Sequence, residues 1–408
     1  MLKSNNKPTK TKLMKNKLMI VSSILILLTS CSKNEEDNYQ EIETYTNVTE
    51  AFGNNINLTN LANYANQLVP NYIVKNNSGS NTITDKGATL GRVLFYDKNL
   101  SSNNTISCAS CHQQANAFSD AAVSSQGVNG TTGRHSMRLV NNRFANETKF
   151  FWDERAINLE TQTTMPIKDH GEMGYSGLNG DESFSGLITK LSGIGYYKEL
   201  FKFVYGSEEI TESKMQMALA QFIKSIQSFD SKYDAGRALA ANDGQPFTNF
   251  TAQENQGKNL FLSPPVFDSI GNRTSGGLGC AGCHSGPEFD INPNSRNNGI
   301  IGSINGTGID ITNTRAPSLR DLVKANGTTN GPMMHTGVIT TLQAAIGHYG
   351  TINLAPGNTN LDQRLRPNGF GQQLHLTAPE VNSVIAFLRT LSGTDVYTNP
   401  KWSNPFLN

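Results

Sequence analysis

The chain is short of several things, and each shortage narrows what it can be. It has five cysteines in 408 residues, and four of them stand in two short motifs, so no disulfide framework is left to staple a small scaffold. Acid and base nearly cancel, with 34 Lys and Arg against 33 Asp and Glu and a formal net charge of +1. That balance gives no argument for nucleic acid or any other strongly charged partner. The most apolar stretch, residues 18–28, is too short to span a bilayer. No convincing strand-rich block is present, so the fold class expected is mostly α. Histidine is scarce at seven and tryptophan at two, which makes the placement of each informative.

Two of the histidines end identical motifs, Cys108-Ala-Ser-Cys111-His112 and Cys280-Ala-Gly-Cys283-His284. C-x-x-C-H is the attachment pattern of c-type haem. Two thiols add to the haem vinyl groups as thioethers, and the adjacent imidazole turns onto the iron as its proximal ligand. A thioredoxin-like dithiol, or a zinc site built from two C-x-x-C pairs, needs no His directly after the second Cys. The expectation is two covalently bound haem c groups, held by Cys108, Cys111, Cys280 and Cys283, with His112 and His284 on the metals.

The fifth cysteine has a different setting. Lys3, Lys7, Lys10, Lys12, Lys15 and Lys17 precede the apolar run, which ends in Leu28-Thr-Ser-Cys31. This resembles a bacterial lipoprotein signal cut before a lipid-modified Cys; the alternative is an ordinary signal peptide with an incidental Cys. Residues 1–30 are read as the signal. The polar, acidic residues from 31 to 55 are read as a flexible tether, with a surface-export signal as the other possibility for that acidic run. The location expected is the cell envelope, on its periplasmic side or at the cell surface, lipid-anchored through Cys31.

About 375 mature residues suit two domains. Each haem motif is preceded by a helical stretch (residues 87–96 and 256–262) and followed by a longer one (214–229 and 378–391). Met217, Phe222, Ile223 and Ile226 recur at helical spacing, as do Val381, Val384, Ile385 and Leu388. Thr377 and Glu380 are placed for a capping box. The pattern repeats with an offset of 172 residues between the motif histidines, as two tandem cytochrome c-like domains would, each around one haem. The small, polar run at 240–246 sets the expected division into 56–238 and 239–408.

Between the motifs, Phe-Phe-Trp-Asp-Glu-Arg-Ala at 150–156 is followed by Gln162, Pro166 and Glu172-Met173. For an arbitrary Trp a core aromatic is the plain reading. Here, Gln162, Pro166 and Glu172 fall ten, fourteen and twenty residues after Trp152, a spacing that resembles the bacterial di-haem cytochrome c peroxidase and MauG family. The resemblance runs from about residue 80 to 395. It implies an N-terminal haem on His112 that meets peroxide, with Glu172 as acid and base above it, its pKa raised by an apolar pocket. It further implies that Gln162 hydrogen-bonds the peroxide, Pro166 shapes the pocket and Trp152 couples the two haems, while the haem on His284 collects electrons.

The chain departs from the family pattern in two places. Many members carry a ligating His sixteen residues after the first motif's His, but Val128 stands there and cannot bind iron. The expectation is a first site open without reductive activation. His135 is the nearest substitute ligand, although a loop or metal-site His is the favoured reading. It falls where the family has an Asn that helps bind calcium, and His suits that oxygen-seeking ion poorly. Calcium, with carbonyls near Asn330 and Pro332, stays open. The second departure concerns the far ligand of the C-terminal haem. Fourteen residues after His335, where the peroxidases have Met, stands Tyr349, the ligand type of MauG-like members; His348, Met333 and Met334 are the alternatives. A tyrosinate lowers the haem potential relative to Met. Arg315 and Arg320 are candidates to pair with haem propionates, with surface Arg as the other reading.

The function expected is a di-haem peroxidase that reduces hydrogen peroxide to water with electrons from an external donor such as a small cytochrome c. A MauG-like oxidase of a protein or small-molecule substrate is the alternative, and a pure electron carrier a more distant one. The resemblance leaves a homodimer open. The anchor reading has a direct check. Wild-type protein should partition into the detergent phase of Triton X-114 and the Cys31→Ser variant into the aqueous phase; a wild type found in the aqueous phase contradicts it.

Overall fold

Thr84, Thr211, Thr251 and Thr377 each end an extended segment and open a helix, the side-chain oxygen accepting the backbone N–H three residues on. Such a cap is worth about 1 kcal/mol, because it satisfies a donor that the helix start leaves orphaned. At Thr251 and Thr377 the bond is reciprocated by Glu254 and Glu380; the second of these capping boxes is the one legible in the sequence. The four helices are α2, α7, α9 and α11 below, and they frame the two haem motifs.

The computed structural model describes residues 44–407 except 147, 148 and 292. The signal segment, Cys31 and the tether up to residue 43 lie outside the described residues. The helices are α1 (Thr46–Phe52), α2 (Asp85–Tyr96), α3 (Cys108–Cys111), α4 (Leu159–Thr164), α5 (Phe184–Ser192), α6 (Gly195–Tyr205), α7 (Glu212–Ser225), α8 (Lys232–Arg237), α9 (Ala252–Leu262), α10 (Leu342–Gly350) and α11 (Ala378–Arg389). Strand is confined, among the described residues, to three two-stranded antiparallel ribbons: β1 (Gln126–Gly127) with β2 (Gly130–Thr131), β3 (Pro265–Phe267) with β4 (Arg273–Gly276), and β5 (His284–Ser285) with β6 (Asp290–Ile291). The fold is mostly α, as expected. No helix among the described residues is long and apolar enough to cross a membrane.

Two helix pairs are built on the same contact. Helix α2 packs on α7, and α9 packs on α11. In each pair a glycine sits where the backbones touch: a Cβ on Gly91 would overlap the carbonyl oxygen of Ala218, and one on Gly257 would overlap that of Ser383. Around the first crossing lies a core that includes Phe95, Leu219, Phe222 and Ile226; around the second lies one that includes Tyr233, Phe261, Phe289, Val384 and Phe387. The chain changes core between Ile226 and Tyr233. Helix α7 stops at Ser225, short of the expected 229, because the Asn141 side chain accepts from Ser228 N at 2.9 Å and donates to Ser228 O at 3.1 Å, holding that residue in a non-helical connection.

Two segments behave differently from the sequence expectation. Residues 46–52 were expected within the tether, yet they form α1, with Val48 and Phe52 buried in the first core. The carboxylate of Glu199 accepts the Asn47 and Val48 backbone N–H groups at 3.1 and 2.9 Å, which satisfies two donors at the start of that short helix. The C-terminal tail also returns to the first core through Val396 and Trp402. Arg92 donates to Ser403 O at 2.7 Å and Tyr96 to Trp402 O at 2.6 Å, pinning the tail along α2.

The glycine contacts give a stability test. Gly91→Ala and Gly257→Ala should each destabilise the haem-loaded protein by about 1–3 kcal/mol through overpacking, read as a lower denaturant midpoint. Unchanged midpoints would mean that the helix crossings are not as close as described.

Candidate active site

Each haem motif forms a single tight turn. In the first, α3 is one helical turn whose N-cap Ser107 and third residue Ser110 bond reciprocally, and the His112 backbone N–H closes it onto Cys108 O at 2.9 Å. Cys108, Cys111 and His112 all line one cavity of about 520 Å³. His112 Nδ1 lies 3.2 Å from Phe118 O; a carbonyl can only accept, so Nδ1 carries the proton and Nε2 keeps its lone pair. Burial pushes the His112 pKa down to about 4, so the ring is neutral and able to ligate near pH 7. Burial likewise pushes the thiols of Cys108 and Cys111 up to about 12 and about 11. That is the opposite of the low pKa a redox dithiol requires.

The wall of this cavity gathers the residues singled out between the motifs. Gln162 comes from α4, Pro166 and Glu172 from the turns that follow it, and Trp152 from the hairpin between Phe150 and Ala156; all four line the cavity. Phe95, Leu159, Leu219 and Ile223 supply apolar surface from α2, α4 and α7. Burial, helped by the nearby Asp169 carboxylate, pushes the Glu172 pKa up to about 7. Glu172 N and Gly171 N both donate to Asp169 Oδ1, at 3.0 and 2.8 Å, which fixes the turn that carries the carboxyl.

The β1–β2 loop, where the family places its ligating His, is pinned against that turn. Val128 N donates to Glu172 O at 3.0 Å and Asn129 N to Gly171 O at 3.1 Å. Gly127 packs so tightly on the carbonyl of Gly171 that a Cβ there would overlap it. The Val128 side chain packs towards Gly174, and it is Gln126 and Gly127, not Val128, that reach the cavity.

The second motif is a 3₁₀ turn over Cys280–Gly282 after Gly279, whose φ of 71° is a left-handed conformation that glycine adopts freely. Cys280, Cys283 and His284 line a cavity of about 620 Å³. His284 is pushed down to about 4, by burial first and then by the neighbouring Arg364 charge. Its Nδ1 is a buried polar atom with no hydrogen-bond partner among the described residues. Two neutral imidazoles, each beside a pair of thiols and facing a largely apolar cavity, are the donor set that covalent haem requires, and the residues present fit two such groups.

Tyr349 and Met334 also line the second cavity. One donor serves both: Asn298 Nδ2 lies 3.1 Å from Tyr349 Oη and 3.1 Å from Met334 Sδ. Burial pushes the Tyr349 phenol up to about 12, so it stays protonated near neutral pH unless a cation takes the place of the proton. His348 is directed elsewhere, with Nε2 2.9 Å from Asn298 O, and it does not line the cavity. Met333 does.

A thin wall separates the two cavities. Trp152, His135, Ser136, Met137, Arg138 and Arg315 line both. Trp152 Nε1 donates to His135 O at 2.7 Å, and Trp152 O accepts from Thr314 N and Arg315 N at 2.8 and 3.0 Å. His135 Nδ1 lies 3.1 and 3.2 Å from the carbonyls of Ala122 and Val123, so that side chain is engaged with backbone oxygens. Among the described residues no group of three or more His, Cys, Asp or Glu is arranged to hold a metal ion. Arg315 donates to Lys149 O and lies over the Phe150 ring at 4.9 Å.

Arg320, a candidate either to pair with a propionate or to lie at the surface, does neither. It is fully buried and outside both cavity linings. Its Nη1 donates to both oxygens of Asp234 at 2.9 and 2.8 Å and its Nη2 to Pro287 O at 2.8 Å, so its charge is spent inside the second core. Sequence reasoning missed Arg138 and Asn298. The only local signal for Arg138 is a charged residue between Met137 and Leu139 in an otherwise apolar stretch, and Asn298 carries none.

Comparison with known proteins agrees with this geometry. Residues 85–242 match the family model of di-haem cytochrome c peroxidase. The chain is 27% identical to methylamine utilization protein MauG of Methylophilus methylotrophus over 323 residues, covering 77% of this chain and 84% of that one. It is 28% identical to cytochrome c551 peroxidase of Nitrosomonas europaea over 320 residues, covering 75% and 80%. A solved MauG-like protein associated with microbial copper homeostasis superposes with a TM-score of 0.63 at 27% identity, covering 83% of this chain and 99% of that one. The diheme peroxidase BthA from Burkholderia thailandensis shares the fold, with a TM-score of 0.60 at 20% identity over 83% and 98% of the two chains. Residues 85–242 thus match the di-haem cytochrome c peroxidase family model, and about three quarters of the chain is similar to proteins named MauG and cytochrome c peroxidase.

Proposed function

We propose that this protein is a di-haem peroxidase that reduces hydrogen peroxide to water with electrons from an external donor such as a small cytochrome c. The observation that carries the reading is the buried Glu172 carboxyl in the wall of the His112 cavity, with its pKa near 7. An electron carrier has no use for a proton-transfer group in that position. Haem iron, when bound, supplies the site where peroxide binds and the electrons that reduce it. The chain supplies the rest. Glu172 takes a proton from one peroxide oxygen and returns it to the other, which a group with a pKa near the working pH does best. The Gln162 amide orients the peroxide by hydrogen bonding, Pro166 narrows the pocket, and the apolar walls from α2 and α7 exclude water and sharpen the electrostatics. Trp152, in the wall of both cavities, is the contact between the two centres.

The assignment extends to two tandem cytochrome c-like halves, the first peroxidatic and the second electron-transferring, exported and anchored at the cell envelope through Cys31. A second reading has one specific observation behind it. Tyr349, and not only a Met, stands in the His284 cavity. Tyrosinate ligation there would lower the potential of that haem and favour a MauG-like oxidase that turns peroxide against another substrate through Trp152.

Two outcomes test the primary reading. Glu172→Gln should keep two haems per chain while peroxide turnover falls on the order of 10²–10⁴-fold; unaltered turnover removes Glu172 from the mechanism. The pH profile has a defined sign. The carboxylate, which accepts the first proton, prevails above about 7, so kcat/KM for peroxide should rise with pH through that value. The same limb should be missing in the variant, and a profile that is flat between pH 5 and 8 in the wild type would contradict the assignment.

A further inference from the structure

Arg138 lies in the wall between the cavities and lines both of them. Its guanidinium is held by two neutral acceptors: Nε donates to Arg320 O and Nη2 to Ser318 O, each at 3.1 Å. Among the described residues it has no ion-pair partner. The carboxylates of the surrounding segments are engaged by other cations, Asp234 by Arg320, and Asp153 and Asp310 by Arg134.

Asp321 and Tyr397 act on Arg138 electrostatically. Asp321 Oδ1 is taken by Gly393 N and the Tyr397 hydroxyl; burial pushes the Asp321 pKa up, and the Arg138 and Arg320 charges pull it back down. Burial also pushes the Arg138 pKa down, although a guanidinium stays charged near neutral pH. Asp321 acts on this desolvated cation through space only; the guanidinium's hydrogen bonds go to carbonyls, and the donors that face the cavities suit an anion with oxygen acceptors. Arg315 also faces both cavities, with one carbonyl bond, to Lys149 O, and the Phe150 ring beneath it; Arg138 differs in being fixed at both Nε and Nη2.

We propose that Arg138 is a haem-propionate anchor shared by the two sites, a counter-cation at their junction that raises the potential of both haems. The proposal rests on the di-haem reading above. Each covalent haem brings two carboxylates, and among the described residues the wall that Arg138 occupies is where side chains reach both cavities. A fixed positive charge stabilises the reduced form of an iron centre over the oxidised form, so the residue acts by position and charge without touching peroxide.

The test uses the full, haem-loaded protein. Haem per chain is counted by pyridine haemochromogen, and both midpoint potentials are then taken by spectroelectrochemical titration. Arg138→Gln should retain two haems with both midpoints moved negative, and Arg138→Lys, which keeps the charge, should stay closer to the wild type. Arg138→Met carries the same expectation as Gln should that variant fail to accumulate. Potentials unchanged in the uncharged variants, or a shift confined to one haem, overturn the shared anchor while leaving the di-haem reading intact. A wild type holding fewer than two haems per chain overturns both.

Discussion

Two cavities of about 520 and 620 Å³, set side by side behind one wall, are the constraint on which the rest of the structure turns. Both are part-open clefts with largely apolar walls, and water filling them would wet Phe95, Leu219 and Ile223 on one side and Phe261, Leu278 and Val384 on the other. The fold is therefore a frame for two large apolar groups. The C-x-x-C-H turns hold such groups covalently, and the glycine contacts at Gly91 and Gly257 hold the helices of each frame together.

The frames are alike and their linings are not. Each has a threonine-capped helix before the motif, a second after it, and a neutral buried imidazole. The first cavity adds a carboxyl poised near neutrality, while the second adds a buried phenol served by the same amide as a thioether. One is suited to moving protons and the other to holding a ligand. Between them, Trp152 is fastened to both halves, through His135 O on one side and Thr314 and Arg315 on the other. A change that shifts one frame therefore pulls on the contact that joins them.

What the sequence made legible was local. The motif turns, the four framing helices and the Thr377–Glu380 box follow from chemistry within a few residues of chain, whereas Gln162, Pro166 and Glu172, which line one wall, were legible through the family resemblance. Long-range pairing was not legible. Nothing near Arg320 announces that Asp234, on α8, will take its charge, and nothing near Arg138 announces that its guanidinium will rest on the carbonyls of Ser318 and Arg320. The return of Trp402 to the first core and the capture of α1 by Glu199 depend in the same way on partners 150 or more residues distant. Val128 is an instructive mixture. Its inability to bind iron is plain from its side chain, but the pinning of its loop onto Gly171 and Glu172 is a property of the fold.

The central claim is that the first site is open to peroxide without prior reduction, because no side chain of the β1–β2 loop caps it. An electron paramagnetic resonance spectrum of the fully oxidised, haem-loaded protein, taken before and after adding hydrogen peroxide, tests this most directly. The account predicts one high-spin ferric signal that is lost on adding peroxide, beside one low-spin signal. Two low-spin signals that ignore peroxide would contradict it and mean that both irons are capped in the resting protein.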